Sequence, residues 1–303
     1  LHWAPVPAVS AGGMEPAVGA EPASRAQPAG PAPLNVSVDA EAARRRLGSM
    51  EPGPAGTPPS PGGPPARTFA LGCSGWLFIY YLGVIKTLKE HGLDKGAYCI
   101  GSSGGAISAA VMFTDTDLDN LARFVLECVD EARASFGGKF RLRKYVREAI
   151  NRHAGDPLLH VRLTGRLEVS VTRLPSCRNK RISEFGSREE AVEALLASSC
   201  FVPLAGMPIW SERHGIVLDG GVSDLQPLNG WSSKGTFSAI HSASHAPAEV
   251  PLITVCPFYM SRADIKPSRY VPFWWAVLPP RPEQMWDLFL LGQADTRRWV
   301  AET

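Results

Sequence analysis

Short apolar runs and longer amphipathic segments alternate along the chain from Arg67 onward. Arg67–Leu71 and Ala97–Ile100 are short and apolar, as buried strands are, and Leu167–Thr172 alternates with β-branched residues. Helical spacing is found in the segments Leu77–His91, Ala106–Phe113, Leu118–Ser135 and Met285–Val300. Strands that alternate with helices in this way predict a mainly parallel sheet with helices on both faces.

The second half of the chain adds further elements to this pattern. Ser187-Arg188-Glu189-Glu190 is a capping box, which predicts that a helix begins there and continues through Ser198. Ile216–Leu218 and Leu252–Val255 are additional strands by composition and length. These elements extend the predicted sheet beyond its first three strands.

The first 66 residues differ in composition from the remainder. They hold 14 of the 27 prolines and 9 of the 29 glycines, and Asp39–Leu47 is their one charged stretch, enough for a helical turn or two. A segment so rich in proline and glycine buries too little apolar surface to offset the entropy lost on ordering. We therefore expect a disordered tail over residues 1–66 and one globular domain over residues 67–303.

Charge and cysteine usage narrow the class of protein. The 31 basic and 29 acidic residues nearly cancel, which argues against a dedicated nucleic-acid-binding protein. No apolar run reaches about 18 residues, so the sequence predicts no transmembrane helix. The six cysteines form no C-x-x-C pair, and residues 1–20 lack the pattern of a signal peptide. We expect reduced, mostly buried thiols in an intracellular, cytoplasmic protein, and an organellar transit peptide stays open.

Gly101-Ser102-Ser103-Gly104-Gly105 matches the pattern G-x-S-x-G, with Ser103 at its centre. The nucleophile elbow of serine hydrolases has this pattern, because larger side chains two positions from the serine would collide in the sharp turn. The first amides of the following helix then favour negative charge beside the hydroxyl. The pattern predicts a nucleophile at Ser103, and the alternative is an ordinary glycine-rich turn between a strand and a helix.

Two other loops carry candidate chemistry. Gly72–Gly75 also joins a strand to a helix, and its glycines allow backbone amides to face a ligand as an oxyanion hole or a phosphate cradle. Asp219-Gly220-Gly221 follows a predicted strand, so its carboxylate can lie close to another backbone. A tight loop in the first case and a common Asp-Gly turn in the second are the alternatives.

These three loops, in this order, resemble the patatin-like phospholipase family, in its branch around adipose triglyceride lipase and adiponutrin. The matching segments are Cys73-Ser74-Gly75-Trp76-Leu77, Gly101–Gly105, Ala197–Pro203, Leu218-Asp219-Gly220-Gly221-Val222-Ser223-Asp224, Ile253–Phe258 and Ala263–Ile265. The resemblance covers about residues 67–303, which is essentially the whole predicted globular part.

The resemblance implies a three-layer α/β/α sandwich with a mainly parallel central sheet, and a catalytic dyad without histidine. Ser103 would be the nucleophile and Asp219 the base, with Gly220 and Gly221 in the turn behind it. The oxyanion hole would be formed by backbone amides of Ser74, Gly75, Trp76 and Leu77. No cofactor and no metal are implied.

The implied substrate is a carboxylic ester of an acylglycerol, triacylglycerol first and glycerophospholipid next, at a lipid-droplet or membrane surface. Whether a protein coactivator takes part stays open. Two features depart from the family. Leu77 and Phe78 are bulky, although the family usually has a glycine near the position of Phe78, and the polar segment 228–249 is longer than the usual connection.

Two other interpretations stay open. His241 or His245 would complete a triad in the chain order Ser, Asp, His of the α/β-hydrolases, although both lie in the segment 228–249. A non-catalytic lipid-surface or regulatory protein of the same fold is the second interpretation, and the departure at Phe78 favours it.

Three further features are weighed against simpler explanations. Asp115, Asp117 and Asp119 resemble the start of a calcium loop, but the later positions lack its glycine and glutamate, so we interpret them as helix-capping acids. Val271–Leu278 is apolar and aromatic, with Trp274 and Trp275 at its centre, and is either a membrane-docking patch or part of the core. A basic stretch is interpreted as a solvated helix face and consists of Arg141, Arg143, Lys144 and Arg147.

Overall fold

The computed structural model describes residues 65–227 and 250–303. Its strands are β1 (Arg67–Leu71), β2 (Ala97–Ser102), β3 (Leu167–Arg173), β4 (Arg178–Ile182), β5 (Ile209–Ser211), β6 (Gly215–Asp219) and β7 (Leu252–Val255). They form one sheet in the order β5-β6-β3-β2-β1-β7, and β4 pairs with β3. The strands β7, β1, β2 and β3 are parallel, whereas β4, β5 and β6 pair in antiparallel fashion. The predicted α/β fold with a mainly parallel central sheet is confirmed.

The helices agree with the sequence pattern at most places. They are α1 (Phe78–Glu90), α2 (Gly104–Met112), α3 (Leu118–Ala134), α4 (Leu142–His153), α5 (Leu159–Leu163), α6 (Arg188–Ser198) and α7 (Pro282–Glu302). Short 3-10 turns are η1 (Gly75–Leu77), η2 (Phe136–Arg141), η3 (Gly220–Val222) and η4 (Phe273–Ala276). The elements α5, β4 and β5 have no counterpart among the predictions. Of α4 only the basic residues were interpreted, as a solvated helix face, and its apolar face was not predicted.

The core is centred on α1, which is buried nearly all round, with 9 of its 13 residues inaccessible. The helix α7 packs along α1, and there the Tyr80 hydroxyl donates to Asp295 Oδ2 at 3.1 Å. The Tyr81 hydroxyl lies 2.9 Å from Gly72 O and 3.1 Å from Val255 O. This hydroxyl therefore fixes the loop after β1 against the end of β7.

Two predictions concern segments that the structure does not describe. The tail predicted over residues 1–66, including Asp39–Leu47, lies outside the described residues except for its last two positions. The predicted insertion 228–249 lies wholly outside them. Both stay predictions.

Candidate active site

Ser103 occupies the turn between β2 and α2, where its backbone has φ +55° and ψ −128°. Positive φ is uncommon for residues other than glycine, and a nucleophile elbow is a strained turn of this kind. The flanking glycines permit the turn: a Cβ on Gly101 would lie 2.4 Å from Ala106 Cα, and one on Gly105 would lie 2.4 Å from Leu71 O. The local backbone therefore has the geometry of an elbow.

Asp219 ends β6, and the sheet brings it to Ser103 across a separation of 116 residues. The strand β3 lies between β2 and β6: Ser102 pairs with Ser170, and Asp219 pairs with the next residue, Val171. The Ser103 hydroxyl donates to Asp219 Oδ2 at 2.8 Å, and both residues are buried. The serine thus contacts the carboxylate directly, with no imidazole between them.

The electrostatic setting of Asp219 suits a base. Burial raises the pKa of Asp219 to about 6, and hydrogen bonds from the Ser103 hydroxyl and the Gly221 amide oppose the rise. The Gly221 amide donates to Asp219 Oδ1 at 2.7 Å, which leaves Oδ2 to the serine. A carboxyl with this pKa is ionised at pH 7 and still basic enough to accept a proton from an attacking hydroxyl.

The first glycine-rich loop lies against the start of α2. A Cβ on Gly104 would lie 2.2 Å from Ser74 Oγ, and Gly75 has a φ of +52° that favours glycine. Within the loop the Leu77 amide donates to Ser74 O at 3.1 Å, and the Leu77 side chain is buried. Leu77 is therefore a weaker candidate for the oxyanion hole than Ser74, Gly75 and Trp76.

Phe78 is the bulky residue at a position near which the family usually has a glycine. Phe78 begins α1 and lines the cavity beside the elbow, where its Cβ would lie 3.1 Å from a Cβ on Gly104. The preceding Cys73 also lines the cavity, but its amide already donates to Leu225 O at 2.9 Å. Phe78 thus forms a wall of the cavity beside the candidate oxyanion loop.

An apolar cavity of about 350 Å³ adjoins the Ser103–Asp219 pair. Its walls include Ile107, Ala110 and Val111 on α2, Leu121, Phe124, Val125 and Cys128 on α3, and Leu142, Tyr145, Val146, Ala149 and Ile150 on α4. These positions recur every three or four residues, so each helix contributes one face. The volume is within the range of small-molecule sites, and the apolar walls suit a hydrocarbon chain.

Exposed apolar side chains surround the mouth of this cavity. The ones that also line the cavity are Phe201, Val222, Leu225, Phe273 and Val277, between 39% and 71% exposed. Beside them Trp274 is 46% exposed, whereas Trp275 packs against the core. We call these five residues and Trp274 the apolar rim. The predicted aromatic patch is therefore divided between surface and interior.

The wall on α4 is a part of the site that the sequence motifs missed. The charged positions of this helix drew the interpretation of a solvated face, and Arg141 and Lys144 do pair with Glu131 at 3.0 and 3.3 Å on the surface. The apolar positions between them, beginning with Leu142 and Tyr145, recur at helical spacing and form the opposite face. That spacing is the signal that identifies the wall from sequence.

Other candidates have structural roles in the part of the chain that is described. Asp117 caps α3, because its Oδ1 accepts from the amides of Asp119 and Asn120, both at 3.0 Å. This confirms the interpretation of Asp117 as a capping residue. All six cysteines are described; each is free, and four are buried, as predicted. Within the two described ranges, no helix combines the length and the apolar character needed to cross a membrane.

A family model described as patatin-like phospholipase matches residues 69–229, which is more than half of the chain. The chain belongs to the patatin-like phospholipase family. The resemblance stated from the ordered loops is therefore confirmed, and the matched range contains both Ser103 and Asp219.

Several curated members of the family are similar to this chain. Human omega-hydroxyceramide transacylase is 29% identical over 237 residues, which are 73% of this chain and 43% of that protein. Rat patatin-like phospholipase domain-containing protein 2 is 33% identical over 165 residues, 52% of this chain and 34% of that protein. Mouse 1-acylglycerol-3-phosphate O-acyltransferase Pnpla3 is 32% identical over 175 residues, 54% of this chain and 42% of that protein.

The chain spans less than half the length of these curated relatives. Among solved structures, VipD from Legionella pneumophila is similar over 79% of this chain and 67% of that chain, with 13% identity and a TM-score of 0.43.

Proposed function

We propose that this chain is a serine lipid acyl hydrolase that cleaves carboxylic esters of acylglycerols by a Ser103–Asp219 dyad. The observation that carries the proposal is the 2.8 Å contact between Ser103 Oγ and Asp219 Oδ2 on the wall of an apolar cavity. Triacylglycerol is the favoured substrate and glycerophospholipid the next. Membership of the patatin-like phospholipase family supports an enzyme of lipid acyl chemistry.

The dyad performs the reaction in two halves. Ser103 Oγ attacks the ester carbonyl while Asp219 accepts the hydroxyl proton, and the oxyanion faces the amides of the loop Ser74–Trp76 and the start of α2. Asp219 returns the proton to the departing alcohol oxygen, which leaves an acyl group on Ser103. Water then attacks this ester, Asp219 takes and returns a proton again, and the fatty acid is released.

Transfer of the acyl group to a lipid hydroxyl, in place of water, is the second candidate. The relative that matches 73% of this chain is named a transacylase, and another relative is named an acyltransferase. Both reactions share the acyl-Ser103 intermediate and differ only in the hydroxyl that resolves it. The dyad geometry therefore supports either outcome.

The test is product analysis with the purified protein. Trioleoylglycerol emulsion and phosphatidylcholine vesicles are supplied separately, with and without a monoacylglycerol acceptor, and a fluorophosphonate probe reports the nucleophile. We expect free fatty acid from the emulsion, and labelling that Ser103→Ala removes. Fatty acid from the vesicles alone would reverse the substrate order, and an acylated acceptor without free acid would establish the transferase. Absence of product and of label would establish the non-catalytic alternative.

We propose that the apolar rim contacts the lipid surface from which the substrate enters. Trp274→Ala is expected to weaken vesicle binding about tenfold, because burial of one large apolar side chain contributes about 1.5 kcal/mol or more. Hydrolysis of a soluble short-chain ester should stay unchanged, since Trp274 lies outside the cavity wall. Trp210→Ala is the matched control, because Trp210 is 69% exposed on β5 and is not part of the rim. Equal losses of binding in the two variants would contradict the assignment.

A further inference from the structure

Two buried hydroxyls connect the dyad to the strand β3. Ser198, the last residue of α6, accepts a hydrogen bond from the Ser103 amide at 2.9 Å and donates to Ser170 O at 2.7 Å. Thr172, two residues further along β3, donates from Oγ1 to Asp219 O at 2.7 Å. The backbones of the nucleophile and of the base are thus held by neighbouring positions of one strand.

The Ser170 carbonyl contacts both the residue that holds the nucleophile and the turn that follows the base. It accepts the Ser198 hydroxyl on the nucleophile's side. On the other side it lies against Gly220, the residue after the base, where a Cβ would be only 2.1 Å from this oxygen. Contacts through this one backbone group therefore join the nucleophile's side to the base's side, in addition to the pairing of the strands.

Buried polar groups around Asp224 also hold this part of β3. The Ser170 hydroxyl donates to Asp224 Oδ2 at 2.6 Å, and the Arg181 guanidinium donates to that oxygen from two nitrogens, each at 3.2 Å. The Asp224 amide donates to Gly220 O at 2.8 Å, which closes the turn after the base. Hydrogen bonds buried in a low-dielectric interior are strong, so this network makes β3 a firm reference for the dyad.

The conformation of Ser103 explains why such support is needed. A non-glycine residue with φ +55° is strained, and it persists where the surrounding structure holds it in place. The hydrogen bond from the Ser103 amide to Ser198 restrains this residue on its amide side, and the Ala106 amide donates to Ser103 O at 2.9 Å on the other side. Loss of that bond allows the elbow to relax and moves Ser103 Oγ relative to the carboxylate.

We propose that Ser198 and Thr172 are positioning residues of the acyl-transfer reaction, holding the backbones of Ser103 and Asp219 at the separation that proton transfer requires. The proposal rests on the Ser103–Asp219 dyad. Neither Ser198 nor Thr172 lines the cavity, so neither touches the substrate. Their effect is therefore on the geometry of the dyad and not on binding of the acyl chain.

The test uses Ser198→Ala and Thr172→Val, which remove the hydroxyls and retain most of the side-chain volume. With a soluble short-chain ester, kcat is expected to fall about 10- to 100-fold, the effect of a misplacement of about 1 Å, and KM to change little. The acid limb of the kcat/KM profile should also move to higher pH, because the Ser103 hydrogen bond lowers the pKa of Asp219 and is weakened in both variants.

The thiols near Asp219 do not compete for this pH signal. Burial raises the pKa of Cys73 and of Cys200 above the ordinary value, so both stay protonated through the acid limb. A shift of the limb therefore reports Asp219. Ser198→Thr, which restores a hydroxyl, should return the limb to its wild-type position.

Thr296→Val is the control for a loss of stability alone. Thr296 is buried in α7 and donates to Gly292 O at 2.8 Å, so this variant also loses one buried hydrogen bond to a backbone carbonyl. Its kcat and acid limb are expected to match the wild type, with unfolding measured for every variant. If Ser198→Ala and Thr172→Val lose stability but keep the wild-type kcat and acid limb, the positioning role is overturned.

The experiment gives a clear result even if one variant does not fold or the wild type is inactive. If Ser198→Ala does not fold, Thr172→Val alone supports or overturns the proposal by the same two readouts. Turnover and fluorophosphonate labelling of the wild type are measured in parallel, and their absence would overturn the dyad itself. If the wild type is active and neither variant changes kcat or the acid limb, only the positioning role is overturned and the dyad stands.

Discussion

Replacement of Ser103 by alanine is expected to lower kcat for ester hydrolysis by at least about 10⁴-fold, because no other group supplies the attacking oxygen. The fold should remain, since the lost hydroxyl donates a single hydrogen bond among the described residues, to Asp219, and the elbow backbone stays in place. Short-chain ester hydrolysis and fluorophosphonate labelling measure the activity, and thermal unfolding measures the fold. Residual turnover above about 1% would contradict the assignment of the nucleophile.

The neighbouring serine provides a matched control for this variant. Ser102 is fully buried at the end of β2, and its hydroxyl has no hydrogen-bond partner among the described residues. Ser102→Ala should therefore keep wild-type labelling and turnover. Loss of activity in Ser102→Ala together with retention in Ser103→Ala would transfer the nucleophile to the other serine of the motif.

The elbow and the base differ in how far the sequence alone identifies them. The elbow is local: glycines two positions before and after Ser103 are required by contacts with Ala106 and Leu71, so the pattern carries its own physical reason. The approach of Asp219 to Ser103 across 116 residues is set by sheet register, through the pairing of Asp219 with Val171, and no local pattern encodes it. The strand-end position made this carboxylate a candidate, with an ordinary Asp-Gly turn as the alternative, and the resemblance to the family gave it the role of base.

The sequence pattern also does not predict the partner of a single buried hydroxyl or the burial of two adjacent tryptophans. The sequence identifies Ser198 as the end of a predicted helix and as part of the segment Ala197–Pro203, but a lone buried serine has no spacing that indicates its partner. Trp274 and Trp275 are adjacent in sequence, yet the turn η4 directs one to solvent and the other to the core. Such assignments depend on tertiary contacts, which are available only from the structure.

Asp219→Asn is expected to lower kcat by about 10³- to 10⁴-fold, because a neutral amide cannot accept the proton of the Ser103 hydroxyl. His241→Ala and His245→Ala should keep most of the activity, singly and together, since a dyad uses no imidazole. The wild-type kcat/KM should fall as pH decreases through about 6, where Asp219 becomes protonated. A loss of several orders of magnitude in a histidine variant would favour a triad.

The same substitution is expected to stabilise the protein at neutral pH. Asp219 has a pKa of about 6 in the folded protein against 3.8 for an ordinary aspartate, so the folded state binds the proton more tightly. The free energy of unfolding of the wild type therefore decreases as pH rises from about 4 to about 6, and the penalty stays in full above that range. A difference of about two pH units corresponds to about 3 kcal/mol.

Urea unfolding at pH 7.5 should show Asp219→Asn more stable than the wild type by up to this amount, and at pH 4 the two should be nearly equal. Equal stability at pH 7.5 would mean that Asp219 ionises without penalty, and the acid limb of the activity profile would then lie near pH 4.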